Sequence, residues 1–598
     1  MTTDEKEAGA ELERLNENIS RMEELSQRLV AAMANKRQVD PSLQGPSQDV
    51  FRKAATAYWT EWMNNPAKLI EHQAGYWGKM LQHYVDVQRT LSSGKLIAPP
   101  DDTPGDKRFA NPLWSTHPFF NFIKQNYMRT TQAIDDAVAA LEDLDDRDRQ
   151  KVSYFTHQIM DMFAPTNFLA TNPDALERAV ATQGQSLVDG LENLVRDIES
   201  HDGDLIVTLS DPKAFQVGEN LATTPGKVVF RNRMFELIQY TPTTETVHTT
   251  PLLIFPPWIN KFYILDLKEK NSLIKWIVDQ GFTLFVVSWV NPDESYADVS
   301  MDDYVQDGYL TAIEQVKQLT GEKQINAVGY CIAGTTLSLT LALMAKRGDT
   351  SIKSATFFTT LTDFSDPGEV GVFLDDSFVD GIERECAQTG ILDSFFMSRT
   401  FSFLRSNDLI YGPAVKSYMM GEAPPAFDLL HWNGDGTNLP GKMAVQYLRG
   451  LCQSDRFATT GFTICGETVT SADVKTTLCA IACETDHIAP WKPSYRGIQK
   501  FGSRSKTFIL SESGHIAGIV NPPSKKKYGH YTNTDLKLSP DDWRAGAEFH
   551  EGSWWPRWGE WLAKKSGKQV PARMPGDAEH PALTDAPGTY VVARKKAS

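Results

Sequence analysis

The sequence predicts an α/β protein: a mostly parallel sheet with helices on both faces, preceded by a mostly α-helical region and lengthened by one insertion. Three observations predict it. Short apolar, β-rich runs alternate with helical patterns from about residue 250 to residue 360. The rhythm stops over residues 361–474, where turn residues and helical patches replace it, and then resumes with two more apolar runs. The first 200 residues read as helix almost throughout. A chain of 598 residues, 41% hydrophobic and 23% charged, is ordinary globular material, which excludes collagen-like, low-complexity and wholly disordered readings. At about 150 residues per domain the length suggests four domains. An insertion between two strands of one sheet explains it better.

In chain order, Leu12, Leu15, Ile19, Met22, Leu29 and Met33 keep a 3-4 spacing broken only by Ser26, so residues 1–45 carry an amphipathic helix with a short heptad seam. It serves either a contact with a partner or second copy, or packing on its own protein. Residues 46–200 form the helical domain. Its rings at Tyr58, Trp59, Trp62, Tyr76, Trp77, Tyr84, Trp114, Phe119, Phe120 and Phe122 are either core or an apolar surface that adheres to something. Near Leu205 the texture changes. LIVTL and KVVFRNRMFELIQY read as strands with a turn at Arg231 and Asn232. Then come LLIF (252–255), a helix around 272–280, FTLFVVSW (282–289), a helix around 304–319, INAVG (325–329), a helix from 333 to about 346 and IKSATFFTT (352–360). Beyond the insertion stand TLCAIAC (477–483), a helix near 493–501 and KTFILS (506–511). The α/β domain therefore spans residues 201–598, with residues 361–474 inserted in it.

Charge and cysteine narrow the class. Sixty Lys and Arg against 76 Asp and Glu give a formal charge of −16, which argues against a nucleic-acid partner. Six cysteines in this length make no disulfide framework and suit a reducing cytosol. The opening MTTDEKEAGAELERLNENISRMEE is acidic where a signal peptide is basic, and no run approaches the roughly 18 apolar residues of a membrane span. The expectation is a soluble, cytoplasmic protein with no transmembrane segment.

The chemistry concentrates in INAVGYCIAGTTLSLTLALMA. A strand runs into Gly329-Tyr330-Cys331-Ile332-Ala333-Gly334 and a helix leaves at once, which is the nucleophile elbow of an α/β-hydrolase with Cys for Ser and Ala for the second Gly. Small residues at Gly329 and Ala333 let strand and helix nearly touch. Cys331 stands at a helix N-terminus, which favours an anion there. The alternative is a buried structural thiol. The fold orders its triad nucleophile, acid, base, and here TLCAIAC leads into Asp486 and KTFILS into His515. His487 precedes the next helix and takes a supporting or structural part. Asp293, in VVSWVNPDES, is either a competing acid or a loop-ordering acceptor. Cys479 and Cys483 share one strand face, which reads as core and not as metal ligands. No metal and no cofactor are implied. Oxyanion donors are the backbone N–H of Ile332 and that of Trp258 or Ile259, in a loop whose two prolines stiffen the approach. A thiol nucleophile exchanging with a thioester keeps the acyl group activated, which favours acyl transfer from a coenzyme A ester over hydrolysis. His515 takes the thiol proton, and Asp486 orients His515 or helps to activate the accepting hydroxyl.

The strings GYCIAGT, PPWINKFYILDL, VVSWVNPD, FSFLRSNDLIY, FDLLHWNGDGTNLPG, ETDHIAPW, SGHIAGIVNPP and GSWWPRWGEWL resemble polyhydroxyalkanoate synthases over about residues 50–598, and the architecture resembles the single-polypeptide class I enzymes. The resemblance implies polymerisation of (R)-3-hydroxyacyl-CoA, typically 3-hydroxybutyryl-CoA, into polyester with release of CoA. It implies a Cys331 that carries the chain as a thioester, His515 as general base and Asp486 as the acid that activates the 3-hydroxyl. It makes the insertion a cap, or lid, over the active site, and suggests a homodimer on cytoplasmic polyester granules beside granule-associated proteins. Ala333 departs from the Gly of many members. Arg405 is a candidate CoA-phosphate contact or a salt-bridge partner within the cap, and Asn260 a candidate substrate contact. Trp432 reads as packing or interface, and the tail Trp543, Trp554, Trp555, Trp558 and Trp561 as core or polymer contact. The alternative activity is a cysteine-type hydrolase, a thioesterase or polyester depolymerase.

Overall fold

The computed structural model describes residues 3–593 apart from 35–39, 44–47, 65–74, 77, 83, 86–87, 89–97, 102 and 142–143, and gives backbone alone for residues 3–15, 41, 48–51 and 61–62. The chain divides into two units. One joins Met1–Asp211 to Ser402–Pro425; the other joins Pro212–Phe401 to Ala426–Ser598. The middle of the insertion thus belongs with the N-terminal helices, whereas the sequence placed all of residues 361–474 in the α/β domain and its boundary at residue 200.

In the helical unit the main helices are Thr3–Ala34, Gln48–Asn64, Pro118–Ala139, Asp146–Met162, Pro173–Ala181 and Gln185–Glu199. Their starts follow local chemistry: Asn172 caps the Ala175 N–H with Pro173 in the first turn, and the Asp145 carboxylate caps Asp148. Leu25 of the first helix is buried against Val188 and Val195, with Leu29 and Leu191 beside it, and Arg21–Glu192 and Arg28–Glu199 pairs flank the contact. The heptad seam is therefore only partly used. Leu29 packs, but Ile19, Met22 and Met33 are exposed, because the face that meets Gln185–Glu199 is centred on Leu25 and Leu29; Leu12 and Leu15 lie outside the described side chains. Among the rings, Trp114 and Phe120 form a core with Phe109 and Tyr127, while Trp59, Tyr84 and Phe119 are exposed. Trp62 and Trp77 lie outside the described side chains.

Ser402–Pro425 is held to these helices by directed bonds. Tyr418 Oη donates to Asp197 at 2.8 Å, Asn193 Nδ2 to the Ser417 carbonyl at 3.1 Å and Asn407 Nδ2 to Asp161 at 2.9 Å. Asp197 also accepts the Thr208 N–H at 3.0 Å and its hydroxyl at 2.7 Å. This corrects one expectation: LIVTL is not a strand, since Thr208 spends its N–H and hydroxyl on a buried carboxylate and Leu205 is exposed.

The other unit is built on eleven strands: β1 (Gly226–Arg231), β2 (Phe235–Tyr240), β3 (Leu252–Phe255), β4 (Leu284–Trp289), β5 (Ile325–Tyr330), β6 (Ile352–Phe358), β7 (Thr477–Cys483), β8 (Lys506–Ser511), β9 (His530–Thr532), β10 (Glu548–His550) and β11 (Thr584–Asp585). Their order is β10-β9-β8-β7-β6-β5-β3-β4-β2-β1-β11, parallel from β4 through β8 and antiparallel at both margins. The central strands are continuous apolar runs because helices cover both faces; β3, β4 and β5 are buried at every residue. The segment expected as one helix over 304–319 is a π-helix, Tyr304–Leu310, running into the α-helix Thr311–Thr320, which stops at Gly321 with φ 69°. Trp543, Trp554, Trp555 and Trp558 are at most 1% exposed, so these four tail indoles are core. Among the described residues, no helix is long and apolar enough to cross a membrane.

Candidate active site

The register of the sheet brings three loops to one edge. Tyr330 pairs with Phe358, Phe358 with Ile481, Ile481 with Ile509 and Cys483 with Ser511, so the ends of β5, β7 and β8 lie side by side. Cys331 follows β5, Asp486 lies three residues past β7, and His515 four past β8. Phe255 pairs with Gly329, so the loop after β3 starts level with the elbow. Carboxyl ends of parallel strands are where open α/β sheets present their chemistry.

The elbow is strained. Cys331 has φ 55° and ψ −126°, in the left-handed half of the map, and is half-buried at the N-terminus of the helix Ile332–Lys346. Its N–H is fixed by the Phe358 carbonyl at 2.8 Å, and its own carbonyl accepts the Gly334 N–H at 2.9 Å. The close approach expected of Gly329 and Ala333 falls instead on Gly329 and Gly334: a Cβ on Gly329 would meet Gly334 Cα at 2.6 Å, and one on Gly334 would meet the Thr360 hydroxyl at 2.0 Å. Ala333 is buried and keeps its methyl; its carbonyl accepts the Tyr309 hydroxyl at 2.9 Å.

His515 Nδ1 lies 2.7 Å from Asp486 Oδ2, and the His515 ring also interacts electrostatically with the Cys331 sulfur. The other Asp486 oxygen accepts the N–H groups of Ile488 at 2.8 Å and Ala489 at 2.9 Å, so the carboxylate is aimed by backbone. The Thr485 N–H donates to the Ser513 carbonyl at 3.0 Å and ties the acid loop to the base loop. Burial alone would push the His515 pKa down. The Asp486 carboxylate with its hydrogen bond and the Cys331 sulfur outweigh it and raise the pKa to about 10. A histidine so placed exchanges a proton with sulfur while a buried carboxylate steadies its charge.

The remaining predicted residues separate. Ile332 is the first residue of the helix Ile332–Lys346. Trp258 and Ile259 are buried; the Trp258 indole donates to Thr336 on that helix at 3.4 Å, and the Ile259 carbonyl accepts the Thr437 N–H at 3.0 Å. Asn260 pairs across a single bridge with Gly436. His487 is half-buried beside Asp486. Asp293 is exposed and caps the turn Glu294–Tyr296 through Ser295, which is the loop-ordering role. Arg405 falls in Ser402–Pro425 and so belongs to the helical unit. Cys479 and Cys483 are buried and burial pushes both thiols up. Among the described residues no group of three His, Cys, Asp or Glu is placed to hold a metal ion.

Sequence reasoning missed Tyr447 and Thr335. Tyr447 is buried, packs edge-on against Trp258 with centroids 5.5 Å apart and lies in electrostatic contact with Thr335 on the helix Ile332–Lys346. Nothing in the local pattern of residues 441–447 marks it, since it reaches the site from the far end of the insertion. The tail indoles also act here: Trp554 Nε1 donates to the Gly518 carbonyl at 2.7 Å and Trp555 Nε1 to that of Ile519 at 2.8 Å, both in the loop that carries His515.

Residues 105–277 match the family model of the poly-beta-hydroxybutyrate polymerase (PhaC) N-terminus, and residues 251–522 the model of the alpha/beta hydrolase fold. The chain is 41% identical over 559 residues to a poly(3-hydroxyalkanoate) polymerase of Methylorubrum extorquens, covering 92% of this chain and 91% of that one. The chain belongs to the poly(3-hydroxyalkanoate) polymerase family. Other members lie at similar distance: the PhaC subunit of Rhizobium meliloti is 40% identical over 533 residues, covering 89% of this chain and 87% of its own. That of Cupriavidus necator is 39% identical over 540 residues, covering 88% and 89%. A polymerase of this family is an enzyme on an α/β-hydrolase scaffold, and the edge that carries Cys331, Asp486 and His515 falls inside the matched hydrolase region.

Proposed function

We propose that this enzyme polymerises (R)-3-hydroxyacyl groups from their coenzyme A thioesters, with Cys331 as the covalent carrier. The observation that carries the reading is a cysteine at a strained elbow, in electrostatic interaction with a histidine that a buried carboxylate holds at 2.7 Å, in a chain related over nine-tenths of its length to polyester polymerases.

In acylation the Cys331 sulfur, its proton passed to His515, attacks the thioester carbonyl. The bond to the CoA sulfur breaks, and CoA leaves as a thiol with the proton from His515. In elongation the 3-hydroxyl oxygen of an incoming hydroxyacyl-CoA attacks the Cys331 thioester, its proton goes to His515 and Cys331 departs as thiolate. An ester replaces a thioester, which runs downhill, and the lengthened chain returns from CoA to Cys331 by exchange. Asp486 orients His515 and stabilises its charged form. The oxyanion is met by the Ile332 N–H and by that of Trp258 or Ile259. CoA is the leaving group, and these steps draw on no cofactor. Arg405 and Asn260 stay candidates for the CoA phosphates and the acyl group, residues 361–474 for a lid, and the setting for a homodimer at cytoplasmic polyester granules.

Purified enzyme given 3-hydroxybutyryl-CoA should release CoA and make insoluble polyester, and Cys331→Ala should stop both while keeping the fold. Free hydroxy acid as the sole product would return the reading to a hydrolase.

A further inference from the structure

The loop after β3 has an unusual problem. Two of its residues, Pro256 and Pro257, offer no N–H, so the loop has fewer backbone bonds of its own, yet an oxyanion donor must sit within a fraction of an ångström of its place. Its start is held by the Trp289 indole N–H, which donates to the Pro256 carbonyl at 2.9 Å, and its end by a buried ammonium. Lys261 closes the loop with its side chain only 8% exposed, and its Nζ lies 3.0 Å from Asp435 Oδ1 and donates to the Val591 carbonyl at 2.7 Å. The other Asp435 oxygen accepts the Tyr263 hydroxyl at 2.8 Å. The Lys261 carbonyl accepts the Trp432 indole N–H at 2.8 Å, while the Asn260–Gly436 bridge and the Thr437–Ile259 bond run alongside. One side chain thus joins three stretches far apart in sequence: the loop, the last part of the insertion and the end of the tail.

The tail is anchored independently. Glu236 on β2 is fully buried and accepts the N–H groups of Thr589 at 2.8 Å and Tyr590 at 2.9 Å, with the Thr589 hydroxyl at 2.7 Å and the Arg231 guanidinium completing its shell. The Tyr590 hydroxyl donates to the Asn232 carbonyl at 2.7 Å, and Val591 is 2% exposed. With Asp435 32% exposed, the ion pair is only half-buried and adds little net stability. Its use here is placement.

We propose that Lys261 is a positioning residue that makes the oxyanion geometry of residues 256–260 depend on the tail strap, residues 584–591, and on the Asp435 turn of the insertion. This rests on the reading of that loop as an oxyanion donor for acylation of Cys331.

The test compares two reactions of the same sulfur in Lys261→Met, Lys261→Arg, Asp435→Asn and a chain ending at residue 586. Acylation, followed as the p-nitrophenol burst from a p-nitrophenyl ester, needs an oxyanion site; alkylation by iodoacetamide, a direct displacement, needs none. Lys261→Met and the shortened chain should lose about 10- to 100-fold in burst rate, with alkylation within about twofold of wild type, and Lys261→Arg should recover much of the loss. Asp435→Asn, which leaves Lys261 its carbonyl partner, should lose less. Bursts equal to wild type, or alkylation falling in step with acylation, would overturn the proposal. The burst reports Cys331 acylation whether the wild type goes on to make polymer or free acid, so failure of the polymerase reading shows up separately.

Discussion

Among the carboxylates whose side chains are wholly shut off from solvent, Asp197 in the helical unit and Asp486 in the sheet unit do opposite work. Asp197 in the helical unit is met by donors that keep their protons: the Thr208 N–H and hydroxyl, the Tyr418 hydroxyl and the Arg196 guanidinium. Asp486 in the sheet unit is met by two backbone N–H groups and by a histidine that can give its proton away. Burial is the same in both. A carboxylate whose partners hold their protons is a rivet, and one with a titrating partner is part of a relay. Position sharpens the contrast, since Asp197 ties a distant segment to the helices while Asp486 is aimed from its own turn.

Substitution by asparagine separates the two roles. Asp486→Asn should lower kcat by about 10³-fold, and should move the thermal midpoint little above about pH 10, where the charged pair is already gone and its two N–H donors keep an acceptor. It should also bring the His515 pKa down from about 10, since burial then opposes the charged ring with less to offset it. The wild-type pair has a folded pKa above the ordinary histidine value of 6.5. Its stabilisation is therefore complete below about pH 6.5 and is lost as the pH rises through about 10; Asp486→Asn should flatten that alkaline decline in melting experiments. Asp197→Asn should do the reverse. An amide N–H₂ set against two of these four donor groups costs about 2–3 kcal/mol, read in denaturant unfolding, while kcat per folded molecule is unchanged. Equal kinetic losses in the two variants would erase the distinction.

A smaller effect comes from the margin of the sheet. Burial, then Arg557 and His550, push His530 down to about 4 against the Gly552 carbonyl. A histidine depressed in the folded state stabilises above its unfolded value and loses that as the pH falls from about 6.5 through 4. His530→Gln should remove about 1–3 kcal/mol of acid sensitivity and leave catalysis alone.

The sheet was legible because its signals are local. LLIF, TLCAIAC and KTFILS begin and end in the structure where their apolar runs do, and the order Cys331, Asp486, His515 needs only the strand that precedes each residue. What escaped reading depends on partners distant in sequence. LIVTL has β-branched composition, but Thr208 answers to Asp197. Residues 402–425 look like more of the insertion, and it is Tyr418 and Asn407 that assign them to the helices. The elbow showed two small residues, but only the helix placed on the strand tells that Gly334, not Ala333, is the one without room for a methyl.

The helical unit's claim on Ser402–Pro425 also sets a schedule. Roughly 190 residues separate Asp211 from Ser402, and at about 5–20 residues per second a ribosome needs roughly 10–40 s to supply the missing piece. During that interval Asp197 lacks its Tyr418 hydroxyl and the surface that will hold the segment stands open. The N-terminal third therefore emerges first but is finished late, and a synthesis stall before Ser402 would release a chain whose two units are both incomplete.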